Sequence, residues 1–357
     1  MVRKRTKENR GLPARWRQYH GAYYYQVPPG QESQWDGRKQ FRLGATLGEA
    51  ATEWAKRMSA AERPVTHVRE LLERYALEVI PTKAVATQAG DNASVVSLRK
   101  VFGDMRLVDI EPQHIYKYAD TRVDKSGKKS PSMARHDIGV FKHAFTKAVE
   151  WGLIPKHPFK GEVRLKGAKP RTRYIEDWEV IEALALTPIR KSGSVVMIQA
   201  YIRIKLLIGI RRGDLLRLRM SDISDAGIKV TPRKTAGTTG LTRTYQWTPE
   251  LKAAVDMAIA ARSLDIAPWV FCTRKGEGYF DEKTGRPEGW NSMWQRFMTR
   301  LLQDTKIKER FTEHDLRAKC ASDAETLGRA QQLLGHADSK ITERVYRRKP
   351  EVVRPLR

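Results

Sequence analysis

The period of the apolar positions changes along this chain, and each change marks a different kind of element. Up to about residue 60 the pattern is short and alternating. RWRQYH and AYYYQV flank Gly21, and KQFRLG follows a Pro-Gly region, which predicts three short strands. Thr46-Leu-Gly-Glu49 is a capping box opening a helix through EAATEWAKRM. Tyr23 to Tyr25 alternate across the second strand. They fit a half-buried β-face equally with a sheet that lies on nucleic acid, because Arg15, Arg17, Arg38, Lys39 and Arg42 surround them.

From His67 to Trp151 the period becomes helical. Val68, Leu71, Leu72, Tyr75 and Val79 form one stripe, a second helix runs through ASVVSLRKVFG, and a third opens at Glu111-Pro112. The loop DKSGKKSPS precedes a long helix from Pro131 to Trp151, with Val140, Phe141, Ala144, Phe145 and Ala148 inward and Gly152 as the stop. A four-helix domain is expected, and Lys125, Lys128, Lys129, Arg135 and Lys142 mark its candidate phosphate-contacting surface.

Beyond it, residues 153–173 carry Lys156, Lys160, Arg164, Lys166, Lys169, Arg171 and Arg173 against one acid, Glu162. A linker needs only polarity, so this imbalance favours a strap lying on a polyanion. From 174 onward, helical patterns at IEDWEVIEALAL, SVVMIQAYIRIKLLIG, PELKAAVDMAIAARS and WNSMWQRFMTRLLQDT surround GIKVTPRKTAGTTGLTRTYQWT, which reads as two or three strands about glycine turns. The expected fold class is multidomain α+β: a small N-terminal β-sheet module at 1–60, a helical domain at 65–155, a basic linker at 156–173, and a mixed, mainly α domain with a short antiparallel sheet at 174–357.

Charge narrows the partner. The 357 residues hold 67 Lys and Arg against 41 Asp and Glu, a net +26 spread through folded-looking segments, which favours nucleic acid over a membrane surface. The longest apolar run, near Val195 to Ile210, is interrupted by Gln199, Arg203 and Lys205, so no membrane span is expected. No apolar stretch of signal-peptide length follows the basic N-terminus, and a cytoplasmic location is expected. The two cysteines, Cys272 and Cys320, are too few for a disulfide framework and read as buried thiols.

The chemistry-bearing residues gather late in the chain. EHDLR places His314 and Arg317 three apart, on one helix face. QQLLGH supplies His336, and TERVYRR supplies Tyr346 within a cationic run. Upstream, IGIRRGDLLRLRMSDI puts Arg211 where an apolar helix ends, with Asp214 three residues on, and PRKTAG sets Lys234 beside a tight turn. Singly, each has a plainer explanation: Lys234 as a solvated turn residue, Asp214 as the partner of a nearby arginine, Tyr346 as packing.

Together and in this order, GIRRGDLLRLRMSDI, PRKTAG, EHDLR, LLGH and TERVYRR resemble the motif series of the tyrosine recombinases, specifically phage-type integrases. The resemblance covers about 174–357, and the preceding modules are similar to that family's arm-binding and core-binding domains. It implies that Arg211 and Arg317 hold the phosphate, that Asp214 supports Arg211 or His314, and that Lys234 protonates the departing 5′-oxygen. His314 would be the base, His336 a phosphate donor, and Tyr346 the nucleophile that forms a 3′-phosphotyrosine. The physical chemistry agrees: attack builds charge on the non-bridging oxygens, which guanidinium forks hold, and a phenol of pKa about 10 needs such neighbours. The implied partners are double-stranded DNA attachment sites and a homotetramer, with an excision factor and a DNA-bending host protein as further candidates. The resemblance implies no cofactor, no divalent ion and no ATP, and a nucleoid-associated setting in a bacterial host. Arg15, Arg17, Lys39, Lys128, Lys129, Arg164, Lys166, Lys169 and Arg171 are the candidate DNA contacts. Two intervals depart from the family pattern: Arg317 to Gly335 is shorter, and His336 to Tyr346 is one residue longer than the commonest form.

Three competing functions remain: a topoisomerase of the same chemistry, a DNA-binding regulator with a decayed site, and a metal-dependent nuclease, which would need a carboxylate cluster.

Overall fold

The computed structural model describes residues 9, 11–60, 65–166, 171–189, 193–233, 241–281, 284–287, 289–336, 338–350 and 354–356. Lys234 and Lys169 therefore lie outside the described residues. The chain divides into two compact units, Met1–Lys166 and Gly167–Arg357. The division falls inside the basic stretch read as a linker.

In the first unit, β1 (Trp16–Tyr19), β2 (Ala22–Gln26) and β3 (Gln40–Gly44) make an antiparallel sheet in sequence order. His20 and Gly21, both at positive φ (48° and 67°), turn β1 into β2 with the twist that a tight hairpin requires. Strand alternation then sorts the faces. Trp16, Tyr25, Phe41 and Leu43 point inward onto Trp35 and Ala50, the latter from α1 (Leu47–Ala60). On the other face Arg17, Tyr24 and Arg42 stand in one cross-strand row, and Tyr24 stacks on Tyr19 at 4.1 Å. Helix α1 starts where expected, with Thr46 Oγ1 accepting from the Glu49 amide and Glu49 Oε2 from the Thr46 amide.

Four helices follow: α2 (Val68–Glu78), α3 (Val85–Phe102), α4 (Pro112–Thr121) and α5 (Pro131–Glu150). The inward stripes expected from the sequence form one core, with Leu71, Leu72, Tyr75, Phe141, Ala144 and Phe145 fully buried. A polar network crosses that core. Buried Asp137 of α5 accepts from Ser94 of α3, Tyr118 of α4 and Arg122, which ties three helices with charge-assisted bonds. Lys128 and Lys129 are exposed on the α4–α5 loop.

The second unit is built around α7 (Ser194–Ile208), which is apolar nearly all round and so takes the centre. Against it pack α6 (Asp177–Ala185), α9 (Pro249–Ala260) and α10 (Trp290–Asp304), with Tyr201 ringed by Phe271, Trp290 and Trp294. A short α8 (Arg212–Leu215) leads to a sheet of β4 (Ile223–Ser224), β5 (Gly227–Val230) and β6 (Arg243–Tyr245), antiparallel in sequence order. The tip of the β5–β6 hairpin lies outside the described residues. The unit closes with α11 (Glu313–Asp323), α12 (Leu327–Leu334), α13 (Ser339–Ile341) and a π-helical turn, Thr342–Tyr346. Cys272 and Cys320 are buried free thiols. Among the described residues, no helix is long and apolar enough to cross a membrane.

Candidate active site

Four helix ends converge on one pocket. The first is the C-terminus of α7, where Gly209 adopts the left-handed conformation (φ 60°) and returns its amide to the Lys205 carbonyl at 2.9 Å. A side chain here is excluded twice, by the backbone and by Leu334 and Cys320, whose atoms would lie 2.7 and 2.9 Å from a Cβ. The reversal throws Ile210 inward and leaves Arg211 as the N-cap of α8. Among the described residues, the Arg211 guanidinium has no hydrogen-bond or ion-pair partner. The sequence alone did not separate Arg211 from Arg212. Here both border the cleft, but Arg212 bonds Asn291 Oδ1 (3.1 Å) and Glu313 Oε2 (3.2 Å), and among the described residues Arg211 is the unpaired one.

The second end is the N-terminus of α11. Thr312 and Asp315 exchange capping bonds, the Thr312 amide reaching Asp315 Oδ2 at 2.8 Å and the Asp315 amide reaching Thr312 Oγ1 at 3.3 Å. The cap fixes the first turn, so His314 stands at the open rim and Arg317, one turn on, points inward and is 1% exposed. Arg317 donates Nη1 to the Gly209 carbonyl, and Nη2 to Leu334 O (2.7 Å) and His336 Nε2 (3.0 Å). Its acceptors include the C-terminal carbonyls of α7 and α12, which the helices leave unbonded and partly negative. Only Nε has no partner, although it is buried.

The third end is α12, closed by Gly335 at φ 66°, after which His336 turns inward. His336 Nε2 accepts from Arg317, so its proton resides on Nδ1 and is donated to Thr342 Oγ1 at 2.8 Å. The sequence reading expected His336 to donate to the phosphate. In this arrangement its two ring nitrogens are engaged by Arg317 and Thr342.

The fourth end carries Tyr346. Its ring lies 5.0 Å from His314, 4.8 Å from His336 and 5.3 Å from the Arg317 guanidinium carbon. The turn that delivers it is π-helical, with the Arg347 amide bonding Thr342 O (3.1 Å), five residues back. A π turn takes up one more residue than an α turn, which accounts physically for the longer His336–Tyr346 interval. Ser322 Oγ then bonds the Tyr346 carbonyl (2.9 Å) and receives the Arg348 amide (2.7 Å).

These groups line a cleft of about 470 Å³ bounded by Lys205, Arg211, Arg212, His314, Arg317 and Tyr346. Its cations act on its bases. Burial, then Lys205, Arg348 and Arg317, push His314 down to about 4. Burial, then Arg317 and Arg211, do the same to His336. Both imidazoles are neutral at pH 7. Lys205 is itself 2% exposed, with Nζ on the Ile210 carbonyl at 3.1 Å, and burial pushes it down to about 7.

Among the described residues, the Asp214 carboxylate makes no hydrogen bond or ion pair with Arg211 or His314, although its amide bonds the Arg211 carbonyl at 3.1 Å. The carboxylate's Oδ1 accepts from the Arg233 amide at 3.1 Å, which anchors the chain just after β5. Of the candidate DNA contacts, Arg15, Arg17, Lys39, Lys128, Lys129, Arg164 and Lys166 are exposed. Arg171 is exposed as well, while its Nε holds both oxygens of buried Asp315 at 2.9 Å. Lys205, Thr342 and Arg348 were missed. The polar break that Lys205 makes in an apolar run and the cationic run holding Arg348 were the signals, but neither tells what the side chain bonds: Ile210 O for Lys205, Asp315 and the Arg173 carbonyl for Arg348. Among the described residues, no three His, Cys, Asp or Glu side chains are gathered as a metal site would need.

The fold is shared with solved structures of integrases bound to DNA. The chain is similar to a lambda integrase dimer bound to a COC′ core site, with 18% identity, TM-score 0.62, and 98% of this chain and 99% of that one covered. It is similar to a lambda integrase tetramer bound to a Holliday junction, with 19% identity, TM-score 0.59, and 97% and 99% covered. A Tn1549 transposon integrase in complex with transposon right-end DNA matches with 16% identity, TM-score 0.60, and 77% and 93% covered. No curated protein sequence matches the chain. Residues 178–351 match the model of the phage integrase family, and this match supports placing the chain among the tyrosine recombinases.

Proposed function

We propose that this protein is a site-specific recombinase that integrates and excises a mobile element or phage by cutting and rejoining DNA through a 3′-phosphotyrosine. One observation carries the reading: Tyr346 lies with its ring about 5 Å from two neutral imidazoles and a buried arginine, beside an arginine without a protein partner. The Tyr346 oxygen attacks phosphorus, the P–O5′ bond breaks, and the 5′-oxygen leaves with a proton from Lys234. His314, neutral at pH 7, accepts the phenolic proton. The entering phosphodiester raises the affinity of His314 for that proton, since its negative charge offsets the surrounding cations. Arg211 and the Nε of Arg317 hold the non-bridging oxygens, and His336 keeps Arg317 in place. The ester retains the bond energy, so rejoining by a second 5′-hydroxyl needs neither ATP nor a divalent ion. The protein works as a tetramer on paired attachment sites, with an excision factor and a DNA-bending host protein setting direction. The structures of relatives on DNA, one of them a tetramer on a Holliday junction, support this reading.

The test uses labelled duplex from the DNA flanking the gene, incubated with protein in EDTA and quenched in detergent. A protein-linked band on the 3′ side of a nick, absent with Tyr346→Phe, is expected. An adduct that persists in Tyr346→Phe means another nucleophile. Tight binding with no adduct, even on a pre-nicked duplex, favours the DNA-binding regulator.

A further inference from the structure

We propose that Arg243 is a third substrate-binding arginine of this pocket, contacting a non-bridging oxygen of the phosphodiester under attack from the β5–β6 side. The inference rests on the recombinase reading and deepens it. Arg243 is the first residue of β6, paired with Val230 of β5, and its side chain crosses to the turn between α12 and His336. There it lies against Gly335 so closely that a Cβ on that glycine would meet Nη1 at 2.7 Å and Cζ at 3.0 Å. A residue larger than glycine would displace the guanidinium, whatever the strain of φ 66°.

The position is charged beyond any structural need. A small hollow of about 10 Å³ is lined by Arg211, Arg243 and Arg317 with a single carboxylate, Asp214. That carboxylate already accepts from the Arg233 amide, and among the described residues no hydrogen bond or ion pair engages the Arg243 guanidinium. Arg317 directs three bonds from Nη1 and Nη2 into the protein, and its buried Nε has no hydrogen-bond partner. Arginines gathered without acids repel one another, and they are retained where an anion completes them. Arg243 also adds to the charges that hold His336 neutral, so its field reaches the residue bracing Arg317. Arg211 borders both this hollow and the cleft holding Tyr346, so an anion at Arg211 meets the tyrosine on one side and Arg243 on the other. Neighbouring arginines do not qualify. Arg219 lies over Trp269 at 4.7 Å, and Arg212 is paired with Glu313.

The test is single-turnover adduct formation on a duplex whose cleavage position has first been mapped with the wild type. Arg243→Ala is expected to slow it by about 10²–10³-fold, the usual effect of removing one preorganised donor, with duplex binding retained. Arg243→Lys keeps the charge without the fork and should fall between. On a duplex with a methylphosphonate at the scissile position, which lacks the charged oxygen, wild type and Arg243→Ala should differ by less than about tenfold. Equal losses on both linkages mean a packing role and overturn the proposal. So does rescue by a 5′-bridging sulfur alone, which assigns Arg243 to the leaving group, and so does an unimpaired Arg243→Ala. If Arg243→Ala melts well below the wild type, the same comparison on Arg243→Lys decides. A wild type that forms no adduct on any duplex sinks the recombinase reading itself, and that is seen without the variants.

Discussion

Lys205 shows how one residue can be costly to the fold and still belong to the pocket. Its amine is buried at the end of the central helix, with the Ile210 carbonyl as its hydrogen-bond acceptor and Glu313 as the opposing charge. The folded pKa of about 7 lies below the ordinary lysine value of 10.5, so between these limits the unfolded chain binds more protons and stability rises with pH. Lys205→Met is therefore expected to raise the melting temperature near pH 7, by roughly 2–4 °C for each kcal/mol recovered. The gain should shrink toward pH 10, where the unfolded lysine also loses its proton. A melting series over pH 7 to 10 checks this, and a destabilised Lys205→Met at pH 7 would refute it. The charge of Lys205 also helps hold His314 low, so the same substitution should raise the pH at which adduct formation falls off on the acid side.

At the scale of elements, the candidate catalytic groups sit on helix ends because ends are where a helix leaves backbone groups open. The end that matters most is the least regular, the π turn carrying Tyr346. It is held at its far side by Arg348, whose Nη1 reaches Asp315 Oδ1 at 2.6 Å and the Arg173 carbonyl at 3.0 Å. Asp315 is fully buried, neighbours His314 in the chain, and is also held by Arg171. The tyrosine segment, the His-x-x-Arg helix and the basic stretch before α6 thus share one carboxylate. Breaking a buried pair from one side costs about 3–5 kcal/mol, lessened here because Arg171 remains on Asp315. Arg348→Ala is expected to lower stability by about 2–3 kcal/mol and to lose adduct formation more than DNA binding, as denaturant melts and gel shifts will show. Equal losses would make Arg348 merely structural.

For the whole molecule, charge is the dominant property. A net +26 predicts strong dependence on salt: 6–10 phosphate contacts would cost about 10³–10⁵ in affinity between 50 and 200 mM salt. Lys128→Ala with Lys129→Ala should weaken binding to all duplexes alike and reduce the salt slope by about 2. A change confined to one sequence would instead make these lysines base readers. The row Arg17, Tyr24 and Arg42 on the outer face of the N-terminal sheet offers a second basic surface, with an aromatic ring between its charges.

The sequence by itself determined the elements and the chemical types. Alternation predicted β1 to β3, the stripes predicted α2 to α5, capping signals placed the starts of α1 and α4, and five ordered motifs named the family. These features are local, or survive as ordered residue types, so one chain read in order contains them. Which of Arg211 and Arg212 is paired, which way His336 donates, and what Asp214 and Arg171 hold are visible only in the tertiary structure. Each depends on a partner that folding brings up from another part of the chain: Glu313 for Arg212, Arg317 and the nearer Thr342 for His336, Arg233 for Asp214, Asp315 for Arg171. Arg243 and Lys205 carry no motif, and packing alone sets a guanidinium against Gly335 and an amine beneath Arg211. A side chain's charge is written in the sequence, whereas its partner is decided by what the fold brings within hydrogen-bond reach.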